Sequence, residues 1–138
     1  GTRYATIGVR QKLTTRNIVV DLNTFSVLST SNDDLLAEVY FGGTTASPIT
    51  WNSSTFSNIE TMTWDSTTAG DTAGAVHSGG VKIFSIYLKA AGSTSSRVES
   101  LRRLGSYIDG TTESVFLCVT SLGANGSCHA AGNWSEFI

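Results

Sequence analysis

The chain has 138 residues, of which 38 are Ser or Thr and only 20 are charged Asp, Glu, Lys or Arg, with 14 Gly and a single Pro. Hydroxyl-rich polar positions around Val, Ile and Leu are typical of strands joined by tight turns, and the length fits one domain spanning residues 1–138. The net charge of −2, with scattered Lys and Arg, excludes a basic stripe for nucleic acid and a polybasic patch for anionic membranes.

Alternating apolar residues predict about eight strands. Near the N-terminus Ala5, Ile7 and Val9 alternate with polar side chains such as Thr6 and Arg10, which is the period-two pattern of a strand with one buried face. The same reasoning predicts seven further strands, at residues 18–22, 25–29, 35–41, 59–64, 81–89, 114–121 and 128–137. This number of strands favours an all-β fold, a jelly-roll-like antiparallel β-sandwich.

Two kinds of segment interrupt the strand pattern. Residues 44–57 and 66–78 are long connections rich in small residues, and loops of this length are either functional or plain surface. At Ser96 and Glu99 the sequence has the spacing of a helix capping box, and Gly105 offers a stop. We therefore predict one short helix there, lying across an open end of the sheets.

Catalytic residues are scarce in this sequence. Cys118 and His129 are the candidates for a thiolate pair, but Cys118 lies within an apolar strand, where a buried and inert thiol is the usual finding. The motifs of serine hydrolases, zinc proteases and phosphate-binding loops do not occur in the sequence. We therefore expect a protein that is not an enzyme and that uses no cofactor.

Calcium is the metal that the acidic residues would suit, because it prefers carboxylate oxygens. The candidate ligands are Asp33, Asp34, Asp65, Asp71 and Asp109. None of them falls in the alternating spacing of a calcium-binding loop, and acidic residues beside Gly, Ser and Thr usually form turns. The expectation is that no metal is bound.

The chain has two cysteines, Cys118 and Cys128. If Asn125 and Gly126 form a two-residue hairpin turn, Cys128 faces Gly123 and Cys118 lies five positions farther along, roughly 17 Å away at the rise of a strand. A disulfide requires Cα atoms within about 7 Å. We therefore predict free thiols, which fits assembly in a reducing cytoplasm, although a longer loop would reopen the question.

Three residues are candidates for ligand binding. Trp51 lies in a polar loop and Trp64 ends a strand beside Asp65, and an exposed ring next to amide or carboxylate groups is what stacks on a sugar and reads its hydroxyls. The alternative, which we favour, is that both rings cover the end of a core or a subunit contact. Trp134 alternates with small residues of the last strand, which predicts that it is buried.

Five short phrases of strand and turn residues follow one another along the chain: VLSTSNDDLL at 27–36, GGV at 79–81, LGSYIDG at 104–110, VFLCV at 115–119 and WSEF at 134–137. In this order they resemble the small all-β virion modules of tailed bacteriophages, a group that includes capsid decoration proteins and modules of head and tail fibres. The resemblance implies trimeric jelly-roll assembly, and it implies no catalytic residue.

Composition and resemblance together predict a structural role on the virion surface, with assembly in the host cytoplasm. Weakly charged copies pack closely without strong repulsion, and closed symmetry protects sheet edges. We expect a homotrimer that decorates a capsid, with the major capsid protein or other virion proteins as partners. The alternative is a receptor- or carbohydrate-binding fibre module that uses Trp51, Trp64 and Asp65.

Overall fold

A computed structural model describes residues 2–12, 19–30, 33–46, 49–53, 59–64, 74–89, 95–104, 114–123, 126 and 128–137. These parts of the chain form eleven β-strands whose pairings are antiparallel, which confirms the all-β prediction. The strands are β1 (Arg3–Gln11), β2 (Val19–Ser29), β3 (Leu35–Phe41), β4 (Thr44–Thr45), β5 (Ile49–Ser53), β6 (Ile59–Trp64), β7 (Ala75–Ser78), β8 (Val81–Leu88), β9 (Ser95–Leu104), β10 (Ser114–Ser121) and β11 (Cys128–Phe137).

Ten of these strands pair as one nested hairpin. Strands β5 and β6 form its tip, and moving outward β4 pairs with β7, β3 with β8, β2 with β9 and β1 with β10. Residues far apart in sequence therefore lie side by side, as Arg3 does with Thr120. Strand β11 stands outside the nested series and pairs with the other side of β2.

The nested strands divide between two sheets. Strands β2 and β9 join β11 in a three-stranded sheet of order β11-β2-β9, the small sheet. The other eight strands form the large sheet, in which β10 lies between β1 and β3 and β8 is at one edge. On the other side of β1, β6 pairs with Val9 to Gln11 and β7 pairs with Tyr4 and Ala5.

A hydrophobic core lies between the two sheets and makes the fold a β-sandwich. Successive side chains of a strand point to opposite faces. Strand β10 therefore directs Val115, Leu117 and Val119 into this core, and β2 contributes Phe25 and Val27. A cavity of only about 10 Å³ remains at this interface, and its lining is apolar.

The predicted short helix at Ser96 to Gly105 is wrong. Residues Ser95–Leu104 form strand β9, which pairs with β2 from Leu28 opposite Ser95 to Val20 opposite Leu104. A capping-box spacing describes only the first turn of a helix, whereas β2 offers a row of backbone hydrogen-bond partners from far earlier in the chain. This tertiary pairing outweighs the local preference.

About eight strands were predicted and the structure has eleven, but most of the predicted strands lie where they were expected. Strands β3, β6, β10 and β11 have the predicted bounds. Residues 18–22 and 25–29 belong to one segment, since β2 runs unbroken over Val19–Ser29. The two long connections are partly strand: the first contains β4 and β5, and the second contains β7.

The two cysteines are free, but the reasoning from a hairpin at Asn125 and Gly126 is wrong. Strand β10, which carries Cys118, pairs with β1 and β3 in the large sheet. Strand β11, which carries Cys128, pairs with β2 in the small sheet, where Cys128 lies opposite Ser29. The thiols are separated because Cys118 belongs to the core on the outer face of the large sheet, whereas Cys128 packs against the core between the sheets.

Candidate functional site

Charged and aromatic side chains gather on the outer face of the large sheet, the face turned away from the small sheet. We call Arg3, Glu38, Tyr40, His77 and Lys82 the polar cluster. Strand alternation puts Glu38 and Tyr40 of β3 on this face, since their neighbours Ala37 and Val39 belong to the core between the sheets. The nested hairpin then brings β1, β7 and β8 to the same place.

His77 is the most enclosed member of the polar cluster, with 3% of its surface exposed. Its ring lies 4.9 Å from that of Phe116 and 5.3 Å from that of Tyr40, centroid to centroid. The Nε2 atom is 3.0 Å from the carbonyl oxygen of Gly42. Because a carbonyl only accepts, Nε2 carries the hydrogen, and in the neutral ring Nδ1 is a bare acceptor. Nδ1 is buried without a hydrogen-bond partner among the described residues.

Burial of the ring is the main reason why the pKa of His77 lies below its usual value. The hydrogen bond to Gly42 acts in the opposite direction, and the positive charge of Arg3 adds to the lowering. His77 is therefore held as a neutral ring at neutral pH. A ring enclosed in this way contributes packing and one hydrogen bond, and it offers no open nitrogen to a substrate.

Tyr40 connects the charged members of the polar cluster. The Arg3 guanidinium lies 3.8 Å from the centre of the Tyr40 ring, and its Nη2 donates to the carbonyl of Gly79 at 3.1 Å. The Tyr40 hydroxyl donates to Oε2 of Glu38 at 3.2 Å, and Nζ of Lys82 is 3.4 Å from the same oxygen. Burial, followed by the Glu38 charge, raises the pKa of Tyr40. The hydroxyl therefore stays protonated as a donor.

Two diglycine turns hold this corner of the large sheet together. Gly42, Gly43, Gly79 and Gly80 all have positive φ, between 71° and 97°. A Cβ on Gly43 would lie 2.5 Å from Nε2 of His77, so only glycine leaves room for the imidazole there. Arg3 donates to the carbonyl of Gly79 and His77 donates to the carbonyl of Gly42. The polar cluster therefore connects the turn after β3 with the turn before β8.

Trp51 and Trp64 lie on the outer face of the large sheet, packed against a second core that contains Met62 and Phe116. The Trp51 ring is 6.1 Å from Phe116, and the Arg10 guanidinium lies 4.4 Å from its centre. Trp64 is half-buried, and its Nε1 has no hydrogen-bond partner in the part of the chain that the structure describes. The structure thus brings both tryptophans to one aromatic layer.

The other residues considered as catalytic or metal-binding candidates do not form a site in the described structure. Cys118 lies fully buried in the large sheet, whereas His129 is exposed in β11 of the small sheet. Burial raises the pKa of Cys118 to about 12, so its thiol is not ionised at neutral pH. Asp65, Asp71 and Asp109 lie outside the described residues. Within the described ranges, which include Asp33 and Asp34, no three His, Cys, Asp or Glu residues are grouped as metal ligands.

A shallow groove of about 580 Å³ runs over the outer face of the small sheet. Register pairs from β2 and β11 line it: Leu28 with His129, Ser26 with Ala131, and Thr24 with Asn133. Apart from the imidazole and the apolar Leu28, these are small or neutral polar side chains. The groove therefore offers hydroxyl and amide hydrogen-bonding groups without a strong charge.

Comparison with protein families, curated proteins and solved structures finds no match to this chain. Among the described residues no helix has the length and apolarity needed to cross a membrane. The assignment of function therefore depends on the chain's own residues and geometry.

The sequence reasoning missed the polar cluster and found only parts of its surroundings. One signal was present: Glu38 is a lone carboxylate within the apolar strand LLAEVYF, and a buried carboxylate usually has a cationic or hydroxyl partner. Its partners are Tyr40, two positions along the same strand, and Lys82 of β8, which only the pairing of β3 with β8 brings near.

Proposed function

We propose that this protein is a structural, non-enzymatic component of a bacteriophage virion, and specifically a capsid decoration protein that stabilises the shell as a homotrimer. The observation that carries the proposal is the nested hairpin of β1 to β10 divided over two facing sheets. Winding a long hairpin into two sheets is how a jelly roll forms, and jelly rolls recur in viral capsid domains.

The jelly-roll assignment is supported by the order of strands. Strands β1, β10, β3 and β8 are neighbours in the large sheet, and the intervening pair β2 and β9 crosses to the small sheet. The three outermost nested pairs thus alternate between the large, the small and the large sheet, as the turns of a rolled hairpin do. The hairpin tip, β4 to β7, joins the large sheet, and β11 takes an edge of the small sheet, so we propose a variant jelly roll.

The use of the reactive side chains supports a structural role. His77 and Cys118 are buried, and the charges of the polar cluster interact with one another and with turn carbonyls. Groups of this kind strengthen the fold without acting on a substrate. Such a protein needs no cofactor, and it would act through the area that it buries on the major capsid protein or on other virion proteins.

We further propose that the protein resides on the virion surface after assembly in the host cytoplasm. The free thiols of Cys118 and Cys128 support a reducing compartment, where disulfides are rare. The five sequence phrases that resemble phage virion modules support the same location. Their turn and strand residues lie in β2, β3, β8, β9, β10 and β11 or between these strands.

Comparing particles with and without this protein tests the proposal. A decoration protein binds the assembled shell selectively and stabilises it by mass action. Particles lacking the protein should release their genome at lower temperature or under milder osmotic shock, while adsorbing to host cells at an unchanged rate. Adding the purified protein back should restore the heat resistance.

The opposite result would support the alternative, a receptor- or carbohydrate-binding module of a head or tail fibre. In that case particles lacking the protein would keep their thermal stability and fail to adsorb. Trp51, Trp64 and Asp65 would then be the first residues to replace, because the two rings already share one layer. Loss of adsorption on replacing Trp51, with the shell equally heat-resistant, would overturn the decoration role.

A further inference from the structure

Strand β7 (Ala75–Ser78) joins the large sheet through very little pairing. It pairs with β1 at Tyr4 and Ala5 on one side and with the two residues of β4 on the other. Strand β10, by contrast, is paired along nearly its whole length with both β1 and β3. In addition, no residue of β4 or β7 belongs to the described core between the sheets. The corner formed by β4 and β7 can therefore open while the sandwich stays folded.

His77 lies where β7 meets β1. The register of these strands, in which Ala5 lies opposite Ala75, continues along both of them to put His77 opposite Arg3. Side chains directly opposite one another in antiparallel strands have Cβ atoms about 5 Å apart. The imidazole and the guanidinium thus share one face of the sheet, and both contact the Tyr40 ring.

The surroundings of His77 suit the neutral ring. Its Nε2 donates to the carbonyl of Gly42 at 3.0 Å, and its buried Nδ1 has no hydrogen-bond partner among the described residues. Protonation would turn Nδ1 into a second donor and would put a positive charge on a buried ring. A buried charge is costly unless an opposite charge and hydrogen bonds compensate it.

The titratable and charged groups of the neighbouring strands do not supply this compensation in the described structure. Arg3 of β1 is itself a cation. The phenol of Tyr40 on β3 and the thiol of Cys118 on β10 stay neutral, because burial raises the pKa of each. The carboxylate of Glu38 on β3 is bound by the Tyr40 hydroxyl and by Lys82 of β8. Burial of the imidazole and the like charge of Arg3 accordingly lower the pKa of the ring.

We propose that protonation of His77 opens the corner formed by β4 and β7, so that β7 separates from β1 while the two facing sheets remain folded. The open form takes up the proton first as the pH falls below about 6.5, the ordinary value for histidine. The closed form is therefore fully favoured above that pH and loses stability in acid. Departure of the ring uncovers Tyr40 and Phe116, on which it packs. This inference goes beyond the proposed virion role and does not depend on it.

Amide hydrogen exchange of the full chain, followed by NMR from neutral pH to about 5.5, tests the inference. The reporter is the amide of Ala46, which donates to the carbonyl of Val76 at 2.8 Å and loses this partner when β7 detaches. The reference is the amide of Leu122, which donates to the carbonyl of Asp34 at 2.9 Å, away from the corner. After correction for the intrinsic exchange rate at each pH, the protection of Ala46 should fall by up to about ten-fold for each pH unit below 6.5, because opening takes up one proton. Leu122 should keep its protection.

The two histidines of the chain allow a matched pair of variants. His77→Phe keeps a ring between Tyr40 and Phe116 but cannot take up a proton, so the protection of Ala46 should not change with pH in this variant. His129→Phe removes an exposed imidazole from β11 of the small sheet. In that variant Ala46 should respond to acid as it does in the wild-type protein.

Three other outcomes would overturn the inference. If the protection of Ala46 in the wild-type protein does not depend on pH, acid does not open the corner. If Ala46, Leu122 and the amides of β10 lose protection equally, acid unfolds the whole domain instead. If His77→Phe keeps the pH dependence, another group causes it. Should His77→Phe fail to fold, the comparison of Ala46 with Leu122 in the wild-type and His129→Phe proteins still decides whether the corner opens by itself.

Discussion

On the side of the large sheet that faces the small sheet, the buried apolar side chains are Val, Leu, Ala and Ile, with Phe25 contributed from the opposite sheet. On the outer side, Arg3, Glu38, Tyr40 and His77 lie among aromatic rings, and several polar nitrogens lack a described partner. The inner face is stabilised by apolar area, which is insensitive to direction, whereas the outer face depends on individual contacts. Substitutions on the inner face should therefore cost stability according to the apolar area they remove, whereas substitutions on the outer face should cost stability according to the specific contact they break.

The largest expected effect is on the inner face, at Leu117. Replacing it by Ala removes a side chain that is 1% exposed and leaves a cavity that the two sheets cannot close, so the free energy of unfolding should fall by about 3 kcal/mol. Its neighbour Cys118 points to the outer face, and Cys118→Ala should cost only about 1 kcal/mol. Urea unfolding of both variants checks the difference, and equal losses would contradict the comparison.

A second prediction concerns the diglycine turn beside the polar cluster. Gly43→Ala introduces a Cβ 2.5 Å from Nε2 of His77 and 2.8 Å from the Ser78 carbonyl, in addition to the strain of a positive φ. We expect a loss of about 2–3 kcal/mol. Gly42→Ala has positive φ but nothing within 4 Å of the added atom, so strain alone should cost about 1 kcal/mol. Thermal and urea unfolding measure both variants, and a smaller loss for Gly43→Ala would contradict the close contact with His77.

Acid should weaken the outer face specifically, through His77. Its folded-state pKa is lowered by burial, so the unfolded chain takes up the proton first as the pH falls below about 6.5. The contribution of this group is complete above that pH, and it is lost as the pH falls towards the folded-state pKa. The slope for one proton is at most about 1.4 kcal/mol per pH unit.

Urea unfolding at a series of pH values between neutral and mildly acidic measures this slope. The variant His77→Phe keeps an aromatic ring between Tyr40 and Phe116 and removes the titrating group, so its slope over this range should be smaller than that of the wild-type protein. The wild-type ring, followed by its NMR signal, should remain neutral below pH 6.5. A His77→Phe slope equal to that of the wild-type protein would show that other groups carry the acid sensitivity.

The smallest expected effect is at the rim of the outer face. Arg10 has Nε 2.9 Å from Oε1 of Glu60 and stacks over Trp51, and both members of the ion pair are partly exposed. Arg10→Gln should lower the free energy of unfolding by about 0.5–1 kcal/mol, because solvent screens such pairs. Salt should reduce the difference between the two proteins. A loss above about 2 kcal/mol that salt does not change would contradict this prediction, because it would mean that Arg10 stabilises the fold as much as a buried core residue does.

The local sequence pattern was enough to find the bounds of several strands, but it did not show which strands pair with one another. The bounds of β3, β6, β10 and β11 were predicted because alternation of apolar residues is a property of the strand itself. At Ser95–Leu104 the capping-box spacing led to the prediction of a helix, and the segment is a strand. It also failed at β4, β5 and β7, which are short and rich in small residues.

The candidate site was predictable only in fragments for the same reason. Trp51 and Trp64 stood out as large rings in polar surroundings, and the structure places both in one aromatic layer. His77 appeared only as one residue of a long connection, since no local spacing relates it to Tyr40 or Gly42. Their approach depends on β7 pairing with β1 while β3 and β8 close the same corner.

By itself, the sequence determined that this protein is built of strands and which side chains alternate within them. The tertiary structure alone decided that the strands nest as one hairpin, that β2 and β9 leave for a second sheet, and that β8 is the last described strand on its side of the large sheet. The physical reason is that alternation and turn chemistry act between near neighbours, whereas strand pairing joins backbone groups that the sequence separates by up to the full length of the hairpin.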